Sequence, residues 1–145
     1  MRTLYIFGDS FTVDYQTDWT WTRQLASKLR VDAMLNDSII GCSNEWIMHK
    51  VKEQRDKITK DDIVVVVLTS PYRYWFFKDK PELSNYRIAN WDNFASENEK
   101  GHVDAVMGYV NYLQRDELDS FRVEQQVAWI KELKRNIGFT LLLIP

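Results

Sequence analysis

The triplet Gly8-Asp9-Ser10 sets a permissive turn residue, a carboxylate and a hydroxyl directly after a short apolar run, Thr3-Leu4-Tyr5-Ile6-Phe7. A run of this kind, rich in aromatic and branched side chains, predicts a buried strand, and the glycine lets the chain turn sharply at its end. Ser10 is therefore expected just past the carboxyl end of a strand. In an open α/β sheet that is the edge where ligands collect, because the helix N-terminus expected to follow offers unpaired N–H groups and a positive dipole end. A serine there can serve as a nucleophile when a base takes its proton and hydrogen-bond donors stabilise the oxyanion that forms.

Gly8-Asp9-Ser10, on a first strand and close to Met1, resembles block I of the SGNH (GDSL) hydrolase superfamily of esterases and lipases. Asn36-Asp37-Ser38-Ile39-Ile40-Gly41-Cys42-Ser43-Asn44 resembles the block II segment of the same superfamily, and the two stand in the expected order. The resemblance implies a three-layer α/β/α fold with a flavodoxin-like parallel sheet. It also implies Ser10 as nucleophile, the N–H groups of Ser10 and Gly41 as oxyanion donors, and Asp9 as a brace for the turn.

Two further blocks of the superfamily have no counterpart here. After the apolar run Ile63-Val64-Val65-Val66-Val67-Leu68 the chain reads Thr69-Ser70-Pro71-Tyr72-Arg73, where the resemblance implies Gly-x-Asn-Asp. Asn44 or Arg73 is then the substitute oxyanion donor, and Asp9, Thr69 and Arg73 are expected to line the substrate side. An Asp-x-x-His pair, which would supply the base, is also missing. It would follow a fifth strand beyond Pro145, so the last β-α unit is expected to be missing. The chain then reads as a fragment of a longer hydrolase, or as a degenerate member that no longer needs a base. His102, in Gly101-His102-Val103-Asp104, is the candidate substitute base, because a base is recognised by geometry rather than chain order. His49, two turns into a helix, reads as a surface or packing residue.

Composition bounds the rest. A chain of 145 residues with 45% hydrophobic content fits one domain, 1–145, with a single core. A net charge of −2, with both signs mixed along the chain, provides no basic field for a phosphate backbone, so nucleic acid is not an expected partner. No apolar stretch is long enough to span a bilayer and no signal peptide precedes the first strand, so no membrane partner and a cytosolic location are expected, unless the protein travels with a virion. A single cysteine, Cys42, permits no internal disulfide and no cysteine-rich zinc site. Neither a cofactor nor a metal is expected.

Strand and helix patterns alternate, which predicts a parallel sheet with crossover helices. Trp21, Leu25 and Leu29 mark a first helix face, and Ala33-Met34-Leu35 a short second strand. Ile47, Val51 and Ile58 mark a second helix capped by Ser43 or Asn44. The valine run is apolar on both faces, as a central parallel strand is. Val103, Val106, Val110 and Leu113 recur at helical spacing, as do Val123, Val127, Ile130, Leu133 and Ile137, the latter capped by Asp119 or Ser120. Gly138 ends that helix before a last strand, Phe139 to Ile144. Asp61-Asp62 and Asp116-Glu117 read as solvated boundaries.

Residues 71–102 break the alternation with an aromatic-rich insertion containing Tyr72, Tyr74, Trp75, Phe76, Phe77, Tyr86, Trp91 and Phe94. It reads as a lid or pocket wall, as a small core of its own, or, over 72–94, as an interface for a protein partner or a second copy. Two functions follow. The first is a serine ester hydrolase acting on a small-molecule or glycan ester. The second is a non-catalytic structural or interaction protein of a larger assembly, such as a phage particle, that keeps the hydrolase scaffold.

Overall fold

The computed structural model describes residues 1–75 and 100–145. Four strands, β1 (Thr3–Phe7), β2 (Ala33–Asn36), β3 (Ile63–Val67) and β4 (Thr140–Ile144), form one sheet in the order β2-β1-β3-β4. Every neighbouring pair is parallel, with Tyr5 opposite both Leu35 and Val64, and Val65 opposite Leu142. Parallel neighbours require crossovers, and these carry the helices α1 (Trp21–Leu29), α2 (Asn44–Gln54), α3 (Lys100–Tyr112) and α4 (Asp116–Ile137).

Helices pack on both faces of the sheet, consistent with a three-layer α/β/α arrangement. On one face Tyr5, Phe7, Val64 and Val66 meet Ile47 and Val51 of α2 and Ile130 and Leu133 of α4. On the other, Leu4, Ile6, Ile63, Val65 and Val67 meet Leu25 and Leu29 of α1. β3 is buried along its whole length, as its unbroken valine run predicts. β4 is equally apolar in sequence but has one neighbour among the described strands, and Leu142 and Ile144 are exposed on the α1 side.

Several local expectations are corrected. No helix follows Ser10 directly, because residues 10–20 form a loop. Thr12 N–H bonds to the Asp9 carbonyl (3.0 Å) and the Asp14 carboxylate accepts from Gln16 N–H (2.9 Å), so a turn forms where a helix would begin. Gln16 has a left-handed φ of 57°. The helix expected from Val103 begins at Lys100, so His102 stands inside its first turn. α4 starts at Asp116, and Asp119 lies within its first turn instead of capping it. There Asp119 is buried, accepting from Tyr74 Oη, from Gln114 Nε2 (2.8 Å) and from Arg122 Nη1 (3.2 Å).

Asp62 is also no solvated boundary. Only Asp61 is exposed, whereas Asp62 is buried and its carboxylate accepts from Thr3 N–H (2.7 Å), Thr59 N–H (2.8 Å) and Thr59 Oγ1 (2.9 Å). This clasp joins the starts of β1 and β3. Burial opposes ionisation of Asp62, but the hydrogen bonds from Thr3 and Thr59 outweigh it and hold the carboxyl below its ordinary value. A depressed folded pKa contributes stability that is fully present above the unfolded value of about 3.9 and is lost as the pH falls through the folded value. The Asp62→Asn variant should therefore melt lower than the parent at neutral pH. The gap should narrow as the pH falls below about 4, measured by thermal unfolding followed by circular dichroism.

Candidate functional site at the carboxyl rim of the sheet

In this strand order the chain leaves β1 toward β2, then returns past β1 to lay down β3 on the other side. The crevice between the carboxyl ends of β1 and β3 is the topological switch point, where open α/β sheets bind ligands. Gly8, Asp9 and Ser10 leave β1 at this crevice. A Cβ on Gly8 would stand 2.5 Å from Thr12 Oγ1 and 3.1 Å from Val67 Cβ, so the close approach of the turn to β3 needs a glycine. Ser10 itself is half-buried.

The loop that follows β2 is sewn onto this turn. Ile39 N–H donates to the Gly8 carbonyl (3.2 Å), Cys42 Sγ approaches the same oxygen (3.4 Å), and the hydroxyls of Thr12 and Ser38 are hydrogen-bonded to each other (2.7 Å). Asn36 Nδ2 also reaches the Thr12 carbonyl (2.6 Å). Gly41, with a left-handed φ of 76°, stands in this loop, so Ser10 and Gly41 occupy one rim of the sheet on neighbouring crossovers. Ser43 caps α2 by accepting from Trp46 N–H (3.3 Å).

Asp9 gathers the third crossover. Its carboxylate is 3% exposed and accepts from Phe11 N–H (3.1 Å), Thr69 Oγ1 (2.9 Å) and Arg73 Nη1 (3.0 Å). Arg73 Nη1 also contacts Thr69 Oγ1 (2.6 Å) and the Cys42 carbonyl (3.5 Å). Asn44 clasps the Thr69 backbone from both sides, accepting its N–H at 2.8 Å and donating to its carbonyl at 2.9 Å. The Asn44 carboxamide thus ties α2 to the end of β3.

A cleft of about 540 Å³ opens beside this cluster, with Asp9, Thr69, Ser70 and Arg73 as its polar wall and Phe11, Trp21, Leu68, Ile144 and Pro145 as apolar surface. Of the residues singled out from sequence, Asp9, Thr69 and Arg73 line the cleft. Ser10, Gly41 and Asn44 stand at the same rim but outside the lining. Phe11 and Trp21 are additions. The helical spacing puts Trp21 on a core face with Leu25 and Leu29, yet its indole N–H donates to the Phe11 carbonyl (2.7 Å) and the ring is 40% exposed. Its place directly after the turn-rich segment 14–20 was the available signal that it stands at the rim.

His49 lies on the outer side of α2, paired with Glu53 Oε1 (3.2 Å) and in ring contact with Trp46 and Trp75. The His102 side chain and residues 76–99, which include Phe76 through Phe94 of the aromatic insertion, lie outside the described residues. The start of the insertion is docked: Tyr74 is buried on Asp119 with Arg122 4.0 Å above its ring, and Trp75 meets Trp46 edge-on at 5.1 Å. Among the described residues no three His, Cys, Asp or Glu side chains are grouped to hold a metal ion, and no helix is long and apolar enough to cross a membrane. A scan against protein-family models and a search of curated proteins each found no match.

Two measurements check this geometry. Gly8→Ala should cost about 1–3 kcal/mol in chemical denaturation, because Thr12 and Val67 must shift to admit the methyl group. Burial, reinforced by the nearby Asp9 charge, pushes the Cys42 thiol up to about 12. The thiol is then neutral at pH 8, and Cys42 should resist iodoacetamide in the folded protein and react once denaturant is added, as read by mass spectrometry.

Proposed function

We propose that the chain carries the nucleophile of an SGNH-type serine ester hydrolase. Ser10 attacks the carbonyl of a small-molecule or glycan-borne ester, and the N–H groups of Ser10 and Gly41 receive the oxyanion. The reading is carried by one observation: the Gly8-Asp9-Ser10 turn and the Gly41 loop are hydrogen-bonded together at the switch-point rim, next to an open cleft. This neighbourhood supports the reading, because acyl transfer needs a hydroxyl set beside backbone donors. Asp9 acts indirectly, holding the turn and Arg73 in place. A serine nucleophile also needs a proton acceptor, and His102 is the candidate within this chain.

The rival reading is a non-catalytic binding module on the same scaffold, and the Asn44 carboxamide favours it. Both of its polar atoms are engaged by the Thr69 backbone, as in a structural clasp. A fluorophosphonate probe separates the two. Covalent labelling of the folded chain should be lost in Ser10→Ala, and hydrolysis of p-nitrophenyl acetate should fall by about 10⁴-fold or more. A folded parent chain that neither labels nor hydrolyses would leave the binding module. Loss of labelling in His102→Asn assigns the base to α3; retained labelling assigns it elsewhere.

A further inference from the structure

The cleft wall holds a cation that the described residues use only in part. Arg73 makes its side-chain hydrogen bonds to described residues through Nη1, toward Asp9, Thr69 and the Cys42 carbonyl. Nε and Nη2 carry no hydrogen bond to any described residue, and the side chain is 20% exposed where it lines the cleft. Those two nitrogens form the side-on edge of the guanidinium, the pair that takes two oxygens of a carboxylate or phosphate at once. Asp9 does not compete for that edge. Both of its oxygens are occupied within the protein, so it immobilises the guanidinium by its far nitrogen and spares the ligand part of the ordering cost.

The remaining surface selects what the anion is attached to. Phe11, Trp21, Leu68, Ile144 and Pro145 supply apolar walls, and the bond from Trp21 Nε1 to the Phe11 carbonyl holds the indole in place. The Ser70 hydroxyl, also in the lining, is a further donor. A volume of about 540 Å³ lies within the usual range for small-molecule sites. A purely aliphatic ligand would bury its methylenes against the Asp9–Arg73 ion pair and strip that pair of water without replacing it. We infer that the cleft binds a small amphiphilic oxyanion, a carboxylate or phosphate monoester on a flat apolar body, with the head on Arg73 and the body against Trp21 and Phe11. The site does not depend on Ser10 being a nucleophile.

The test uses the full chain carrying Ser10→Ala, so that binding is read without turnover. Calorimetric titration with benzoate and with phenyl phosphate should give saturable binding, and the tighter of the two identifies the head group. Neutral benzamide should bind at least about tenfold more weakly. Arg73→Lys keeps the positive charge beside Asp9 but loses the fork, and should weaken anion binding about tenfold while melting near the parent. Trp21→Ala should weaken phenyl phosphate and leave the weaker binding of inorganic phosphate unchanged. Because Arg73→Gln alone strands the buried Asp9 charge, the double variant Asp9→Asn with Arg73→Gln removes both charges together; a folded double variant should bind neither anion.

Benzamide binding as tightly as benzoate, an unchanged Kd in Arg73→Lys and the double variant, or no binding of either anion to the folded Ser10→Ala chain would each overturn the assignment. Failure of serine labelling leaves these outcomes untouched, since none of them involves the Ser10 hydroxyl.

Discussion

The carboxyl rim depends on satisfying one buried carboxylate. An isolated charge at the position of Asp9 would cost several kcal/mol, so it persists only with donors close on every side. Its donors come from two crossovers, Phe11 N–H from the first and Thr69 and Arg73 from the third, while Arg73 reaches across to the Cys42 carbonyl of the second. Solvating Asp9 thus defines where the ends of β1 and β3 stand relative to the loop after β2. The cleft is the space left once those three segments are pinned.

The opposite rim shows the same device with a different outcome. Asp62 is also a buried carboxylate accepting backbone and hydroxyl hydrogens, and it joins β1 to the turn before β3. Its partners, Thr3 and Thr59, are all neutral and close around it. Asp9 is instead partnered by a guanidinium longer and wider than one carboxylate can cover, and part of that group is left at the cleft. At one rim the carboxylate is closed in by neutral donors, and at the other it is paired with a cation whose Nε and Nη2 carry no hydrogen bond to a described residue. This contrast agrees with the general placement of ligand sites at the carboxyl ends of parallel strands.

Between the rims the sheet is held by apolar contact on both faces, and the third crossover is tied down just past Arg73. Tyr74 docks on Asp119 and beneath Arg122 of α4, and Trp75 packs on Trp46 of α2. Arg73 is therefore bracketed by a clasp at Thr69 and aromatic anchors at Tyr74 and Trp75. This bracketing limits how far its guanidinium can wander and makes the cleft wall a property of the fold rather than of one flexible side chain.

Elements were legible in the chain because their signals are local. The valine run of β3, the period of Leu25 and Leu29, the Ser43 cap and the glycine that ends α4 each depend on neighbours within a few residues, and each stands where the pattern puts it. The turn at Gly8-Asp9-Ser10 and its strand were legible for the same reason, and so was the alternation that demands a parallel sheet. Partnership was not legible. Periodicity counted Trp21 into the core, the place of Asp62 at an element boundary read as solvated, and no local pattern could tell that the apolar β4 has one neighbour among the described strands. The family resemblance left Asn44 open as an oxyanion donor, and the fold engages its carboxamide with the Thr69 backbone. The sequence by itself determined the strands, the helices and the chemical types at the rim. Only tertiary structure decided which polar atoms satisfy one another and which remain for a ligand, because hydrogen bonds between residues some 25 to 64 positions apart are set by sheet order and crossover packing, which no local pattern encodes.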